Sequence, residues 1–229
     1  FQNFEAQISL RDKVNREKYI GSDDNWEKAE QAIIEACEEK GLPAKIEYGE
    51  AAFYGPKLDV NVKPAIGNEI TLSTCQLDFC LPAKFNLTYV AEDGTKKTPV
   101  VLHRAILGSL DRFMAYILEE TKGNLPLWLA PTQVKVLPVK NEYHLDYAQE
   151  IYQLLLDEGF EVELDSRDEK LGYRIREAQM QKANYILVLG NNERDERTVT
   201  YRKHGEQKAT TVTIDEFVSM LKQQIKDKK

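Results

Sequence analysis

Behind Ser22–Asp23–Asp24, a cap followed by first-turn acids, the apolar residues Trp26, Ala29, Ile33 and Cys37 recur at helical spacing, and Gly41 supplies a stop. This predicts a helix. The period then changes to two: Leu58, Val60 and Val62 alternate with Asp59, Asn61 and Lys63, and a turn over 64–68 leads into a second strand over 69–79. In that strand Ile70, Leu72, Thr74, Gln76 and Asp78 share one face, which becomes polar as it proceeds. A second hairpin is expected from the runs 87–90 and 99–103 on either side of Glu92–Asp93–Gly94. Ile106, Leu107, Leu110, Phe113, Met114, Ile117 and Leu118 then predict a long buried helix. The first half therefore reads as an antiparallel sheet closed by a helix.

Gly123, Pro126 and Pro131 interrupt the pattern and mark a domain boundary. Beyond them strand and helix alternate: strands over 134–139 and 160–164, helices over 143–158 and 170–182, a continuous apolar run at 185–189 suited to a strand buried on both faces, and a strand over 198–201. Thr213 and Glu216 form a capping-box signature ahead of a helix carrying Phe217, Met220, Leu221 and Ile225. Such alternation predicts a three-layer α/β domain with a mixed, largely parallel sheet.

The length of 229 residues suits two domains of about 100 residues each. No apolar run reaches membrane-spanning length, and the opening lacks a charged-then-apolar signal pattern, so a cytoplasmic protein is expected. Three cysteines with no C-x-x-C pair suggest reduced thiols, not a disulfide framework or an all-thiolate zinc site. The net charge of −7 argues against indiscriminate nucleic-acid binding by the whole surface. Between Arg167 and Lys203, however, nine Lys/Arg face six Asp/Glu, a local excess of +3 that suits a confined basic face or an ordinary solvated one.

Two stretches carry candidate chemistry. EAAFYGPK, residues 50–57, puts a Gly-Pro turn and a Lys beside the polar sheet face, an arrangement that can hold an anion or simply leave the Lys solvated. HRAILGSLDRF, residues 103–113, places Gly-Ser inside the expected helix at a propensity cost of about 1 kcal/mol for the Gly. Close approach of a ligand or a neighbouring element would explain it. Arg112, one turn on, has the fork geometry for a phosphate, or is a surface Arg beside a packing glycine.

PVVLHRAILGSLDRF resembles motif 3 of class II aminoacyl-tRNA synthetases in their threonyl form. EAAFYGPK resembles the segment before their active-site strands, QLDFCLPAKFNLTYVAEDG the following hairpin, and LDSRDEKLGYRIREAQMQKANYILVLG their anticodon-binding domain. The matches are in order, correctly spaced and span nearly the whole chain. By this resemblance residues 1–126 are part of a class II catalytic domain and residues 127–229 an anticodon-binding domain.

The resemblance implies ATP-dependent activation of L-threonine to threonyl-adenylate and its transfer to the 3′ end of threonine tRNA, by a homodimer in the intact enzyme, with Mg²⁺ accompanying ATP. Arg112 falls on the γ-phosphate position and Gly108 where adenosine approaches. His103 falls on one of three ligands to a Zn²⁺ that the family's threonine itself binds through its amino group and hydroxyl. A site that must be satisfied by a hydroxyl rejects the isosteric amino acid lacking it far better than an apolar pocket does. Gln76 would assist that readout, Tyr54 and Ser109 would line the threonine pocket with Thr74 close by, and Lys57 would stabilise charge on the α-phosphate. Arg176, Glu193 and Arg202 fall on anticodon-reading positions, and Asp168 replaces a family Asn there, reversing part of its donor capacity.

Motif 1, motif 2, the editing domain and the two other zinc ligands have no counterpart in these residues, and neither Cys37 nor His144 sits where a ligand belongs. With Phe1 at the start, a piece of a longer ligase, inactive by itself, is expected; a free-standing, non-catalytic relative that binds tRNA or a protein is the alternative.

Overall fold

The structure, a computed structural model, describes residues 3–64 and 67–228. The chain divides into two compact units, with the division in the sequence between Glu120 and Thr121.

The first unit opens with β1 (Phe4–Leu10), a strand whose buried Ala6, Ile8 and Leu10 alternate with more polar neighbours. Helix α1 (Asp23–Glu39) follows, with the Ser22 side chain accepting from the Asn25 N–H as cap and Trp26, Ala29 and Cys37 buried. It is the crossover of a β-α-β unit, because β2 (Ala44–Tyr48) runs parallel to β1. Strands β3 (Lys57–Val62) and β4 (Ile70–Asp78) are the expected hairpin, whose turn lies partly outside the described residues, at 65 and 66. Helix α2 (Cys80–Lys84) continues directly from β4.

The second expected hairpin pairs differently. Strand β5 (Tyr89–Val90) pairs with β6 (Lys96–Lys97), not with residues 99–103. The side chain of Asp93 accepts from both the N–H and the hydroxyl of Thr95, and Gly94 takes φ +76°, so the chain reverses within a few residues. Strand β7 (Val101–Ala105) is thereby free to pair with β4, giving the sheet order β2-β1-β3-β4-β7.

Helix α3 (Leu110–Glu120) begins four residues later than the apolar pattern suggested, and only Tyr116 and Ile117 are fully buried on it. Gly108 is therefore not a mid-helix residue. It sits in the turn before the helix at φ +64°, where a Cβ would stand 2.9 Å from the Leu72 carbonyl oxygen. Ser109 caps the new helix weakly, its hydroxyl accepting from the Arg112 N–H at 3.4 Å.

In the second unit β8 (Val134–Pro138), helix α4 (Asn141–Asp157), β9 (Val162–Leu164), helix α5 (Leu171–Met180) and β10 (Tyr185–Leu189) form two successive crossovers. Helix α6 (Asn191–Glu196) leads to β11 (Thr198–Lys203), which turns back as β12 (Ala209–Thr213) before helix α7 (Ile214–Lys226). The sheet order is β12-β11-β10-β8-β9, with β9, β8 and β10 parallel and β11 and β12 added antiparallel. From β8 the chain moves first to one side and then to the other, so right-handed crossovers put α4 and α5 on opposite faces. The packing agrees: Tyr147, Ile151 and Leu155 of α4 join Phe217 and Leu221 of α7 over Val134, Val136, Leu187 and Val199, whereas Ala178 of α5 packs on Leu137 and Ile186.

Candidate functional site

Strand register assembles the first site. Ser9 of β1 lies opposite Lys57, Lys57 opposite Gln76, and Gln76 opposite His103, so these side chains form one row across four strands. The next row on that face holds Gln7, Asp59, Thr74 and Ala105. Further along, the pairing slips by one residue near Val60 and Asn61, so Thr71, not Leu72, faces Asn61 and donates its hydroxyl to that amide at 2.7 Å. The strict alternation expected from Ile70 to Asp78 thus holds only from Thr74 onward.

The polar face is internally bonded. Lys57 pairs with the buried Asp59 at 2.6 Å. Tyr54 donates its hydroxyl to the Gln76 side-chain oxygen at 2.8 Å. The chain from Tyr54 to Lys57 is aligned by β4, since the Phe79 N–H donates to Tyr54 O and the Leu77 N–H to Pro56 O. The hydroxyl oxygen of Thr74 is buried without a hydrogen-bond partner among the described residues.

His103 Nε2 meets Asp78 Oδ2 at 2.7 Å, and the other Asp78 oxygen accepts from the N–H groups of Cys80 at 2.7 Å and Leu81 at 3.0 Å. Asp78 is only 1% exposed, and its burial pushes the carboxyl up; the bonds from His103 and the two backbone N–H groups outweigh that and hold it below the usual Asp value. Tyr54, Gln76, Asp78 and His103 line one cavity of about 410 Å³ together with the exposed Phe53 and Leu81. Gly108, Ser109 and Arg112 lie apart from this row, at the turn into α3, where Arg112 reaches the Thr71 carbonyl at 3.5 Å and is otherwise exposed. Sequence reasoning singled out His103 and Gln76 but missed Asp78 and Asp59, whose partners become visible only once the strands are in register.

The second site surrounds α5. Asp168 is exposed on the loop before that helix and lines a cavity of about 610 Å³ with Lys140, Asn141, Lys170 and Arg174. This cavity lies beyond the C-terminal ends of β8 and β9, where successive crossovers diverge and α/β sheets commonly open a crevice. Arg174, 2% exposed, holds the crevice floor by donating to the carbonyls of Asp165, Pro138 and Glu169. Asp165 is gripped by both arms of Arg167, and that hydrogen bonding outweighs burial to hold its carboxyl below the usual range.

Arg202 lies opposite Ile186, and Thr200 opposite Val188, so both share the sheet face that α5 covers. Arg176 is exposed on α5 itself, and Arg202 is half-buried on β11. Glu193 joins them through Thr200, whose hydroxyl donates to one carboxylate oxygen at 2.6 Å, while the Gly190 N–H donates to the other at 2.9 Å. Burial pushes the Glu193 carboxyl up, and these bonds bring it below its ordinary value. Its oxygens are thus already engaged within the unit. Among the described residues no three His, Cys, Asp or Glu side chains come together as a metal cluster, and no helix is long and apolar enough to cross a membrane.

A mixed sheet carrying a Lys–Gln–His row is followed in this chain by an α/β unit whose crevice mixes basic and acidic side chains, and known families match both units. Residues 7–121 match the tRNA synthetase class II core domain (G, H, P, S and T), and residues 133–224 match the anticodon binding domain. The chain belongs to the class II aminoacyl-tRNA synthetase family. Within that class it is similar to threonine--tRNA ligases: it is 53% identical over 227 residues to that of Bacteroides thetaiotaomicron and 50% identical over 228 residues to that of Geobacillus kaustophilus. These alignments cover 99% and 100% of this chain and 35% of each relative, so the chain spans about a third of their length. Among solved structures, the RNA binding domain of threonyl-tRNA synthetase from Cryptosporidium parvum Iowa II superposes with a TM-score of 0.87 at 35% identity, over 97% of this chain and 55% of that one.

Proposed function

We propose that this chain carries part of the active site and the anticodon-reading unit of a threonine–tRNA ligase that acts in the cytoplasm as a homodimer. The observation that carries this reading is the row Lys57–Gln76–His103 on one face of the sheet, in a chain whose relatives along its whole length are threonine--tRNA ligases.

In the reaction the threonine carboxylate attacks the α-phosphorus of Mg²⁺-bound ATP, pyrophosphate leaves, and a ribose hydroxyl of the tRNA then takes the threonyl group with loss of AMP. Lys57, aimed by Asp59, supplies positive charge where the α-phosphate gains it. By the family likeness Gly108, which packs against the Leu72 carbonyl, lies where adenosine approaches, and Arg112 offers its guanidinium to the γ-phosphate. Tyr54 and Gln76, already bonded to each other, form the wall that faces threonine, with Thr74 in the next row of the sheet and Ser109 approaching from the turn before α3 only by the family likeness.

His103 fits one ligand position of a zinc ion: its ring is half-exposed at the cavity, and a carboxylate holds one nitrogen, the usual second partner of a metal-bound imidazole. By the family likeness the remaining ligands would lie in the part of the relatives that this chain does not span. With His103 as one of its ligands, zinc bound at this cavity would supply a Lewis acid for selecting threonine. In the second unit Asp168 before α5, Arg176 on α5, Glu193 on α6 and Arg202 on β11 face the anticodon bases.

Amino-acid-dependent ATP–pyrophosphate exchange, measured on the longest product of the gene that carries this chain, tests the substrate. Threonine should support exchange and valine should not; equal exchange with both would defeat the reading. For the second site, binding of this chain to threonine tRNA and to a copy with altered anticodon should differ by at least tenfold at matched salt, because phosphate contacts alone would treat them equally.

A further inference from the structure

We propose that Asp78 is a positioning residue for His103: it fixes the proton on Nε2 and so leaves the lone pair on Nδ1 for a metal ion or another electrophile at the cavity. The inference deepens the reading of His103 as a zinc ligand, and rests on it for the identity of the metal.

Asp78 is built to hold one orientation. Its side chain is 1% exposed, while the His103 side chain is 43% exposed. Oδ1 is fixed by the N–H groups of Cys80 and Leu81 in the first turn of α2, so Oδ2 is the oxygen left for the imidazole, and it lies 2.7 Å from Nε2. An ionised carboxylate only accepts, so the ring nitrogen facing it has to carry hydrogen. In the neutral imidazole the other nitrogen then has none and is an acceptor. Asp78 and His103 come from β4 and β7 in diagonal register, since His103 lies opposite Gln76 and Asp78 opposite Val101. The ring, far more exposed than the carboxylate it bonds, lines the same cavity as Tyr54 and Gln76. This is the order carboxylate, imidazole, ligand that orients metal-binding histidines elsewhere.

Replacing Asp78 with Asn separates this role from a structural one. The Asn oxygen can keep both backbone bonds to α2, which turns its NH₂ toward Nε2 and forces that nitrogen to accept. The proton then moves to Nδ1, the logic by which Asp→Asn gives the wrong tautomer in a serine-protease triad.

The 229-residue chain has three histidines, so ¹⁵N-labelled rings can be assigned with His103→Gln as reference. Long-range ¹⁵N–¹H spectra at about pH 8, where imidazoles are neutral, read the tautomer directly. The unsubstituted chain should show His103 with hydrogen on Nε2, and Asp78→Asn should move it to Nδ1. His144 is the internal control: its Nδ1 accepts from the Lys140 N–H and its Nε2 faces the Asn191 side-chain oxygen, so its pattern should stay the same in both.

In the longest product of the gene, competition for Zn²⁺ against a chelator should show zinc held 10–100-fold more weakly by Asp78→Asn, as for other outer-sphere partners. A His103 with hydrogen on Nδ1 in the unsubstituted chain overturns the inference without any variant, as does an unchanged tautomer in a folded Asp78→Asn. Zinc affinity indifferent to His103→Gln, with the tautomer reversing as expected, instead overturns the zinc-ligand reading on which the choice of metal rests.

Discussion

A Cβ on Gly55 would stand 2.0 Å from the Leu77 carbonyl oxygen, a distance no side chain tolerates, and the obstacle is strand backbone that cannot swing aside. Gly55→Ala should therefore cost about 1–3 kcal/mol, as overpacking does, and should also break the Tyr54–Gln76 bond by displacing the turn. Urea unfolding of the whole chain measures the first effect; a loss smaller than ~0.5 kcal/mol would contradict it. In the second unit the paired Asp165 has a carboxyl depressed below its unfolded value, so its contribution is present above the ordinary Asp value of about 3.9 and is lost as pH falls through the lower folded value. Stability followed from pH 5 to pH 2 should decline, and Asp165→Asn, lacking the charge, should show a shallower decline. Equal slopes would remove Asp165 from the acid response.

At the scale of single elements, Thr213 and Glu216 form a reciprocal cap on α7, each bonding the other's backbone N–H, and the helix buries Phe217 and Leu221 in the main core of the unit. Thr213→Ala should cost about 1 kcal/mol, read as a lower denaturation midpoint with an unchanged slope. That cap was legible in the sequence because every partner lies within three residues. The same holds for α1, whose cap, apolar stripe and stop are all local. What was not legible depends on distant backbone. β1 and β2 carry weak alternation and are defined by pairing with each other across a crossover of more than thirty residues. The slip near Asn61 changes which residues of β4 share a face, and alternation alone has no means of registering it. Gly108 read as a helix residue because apolar spacing continued through it, while the nearby Leu72 carbonyl and the positive φ that end this reading belong to the fold. His103 and Gln76 could be named from motif likeness, but their neighbours Asp78 and Asp59 acquire meaning only from the ladder.

At the scale of the molecule the two units differ in how well their surfaces are closed. In the second, α4 and α7 cover one face of the sheet and α5 part of the other. In the first, β7 is an edge strand in the sheet order, and Val100 just before it, Leu102 along it and Ile106, Leu107 and Leu110 after it are all exposed, Leu102 at 62% and Ile106 at 70%. An unpaired strand edge flanked by large apolar side chains is a template for association with another chain. The 229-residue chain should therefore self-associate as concentration rises, through the first unit. Light scattering over a concentration series measures it. A lysine at Leu102 places charge on that edge and should suppress association, whereas a lysine at the comparably exposed Met180 on α5, 71% exposed, should leave it unchanged. Equal suppression by both would show that net charge governs association, not the β7 edge, and a chain that stays monomeric at all concentrations would mean the edge is protected by its own loops.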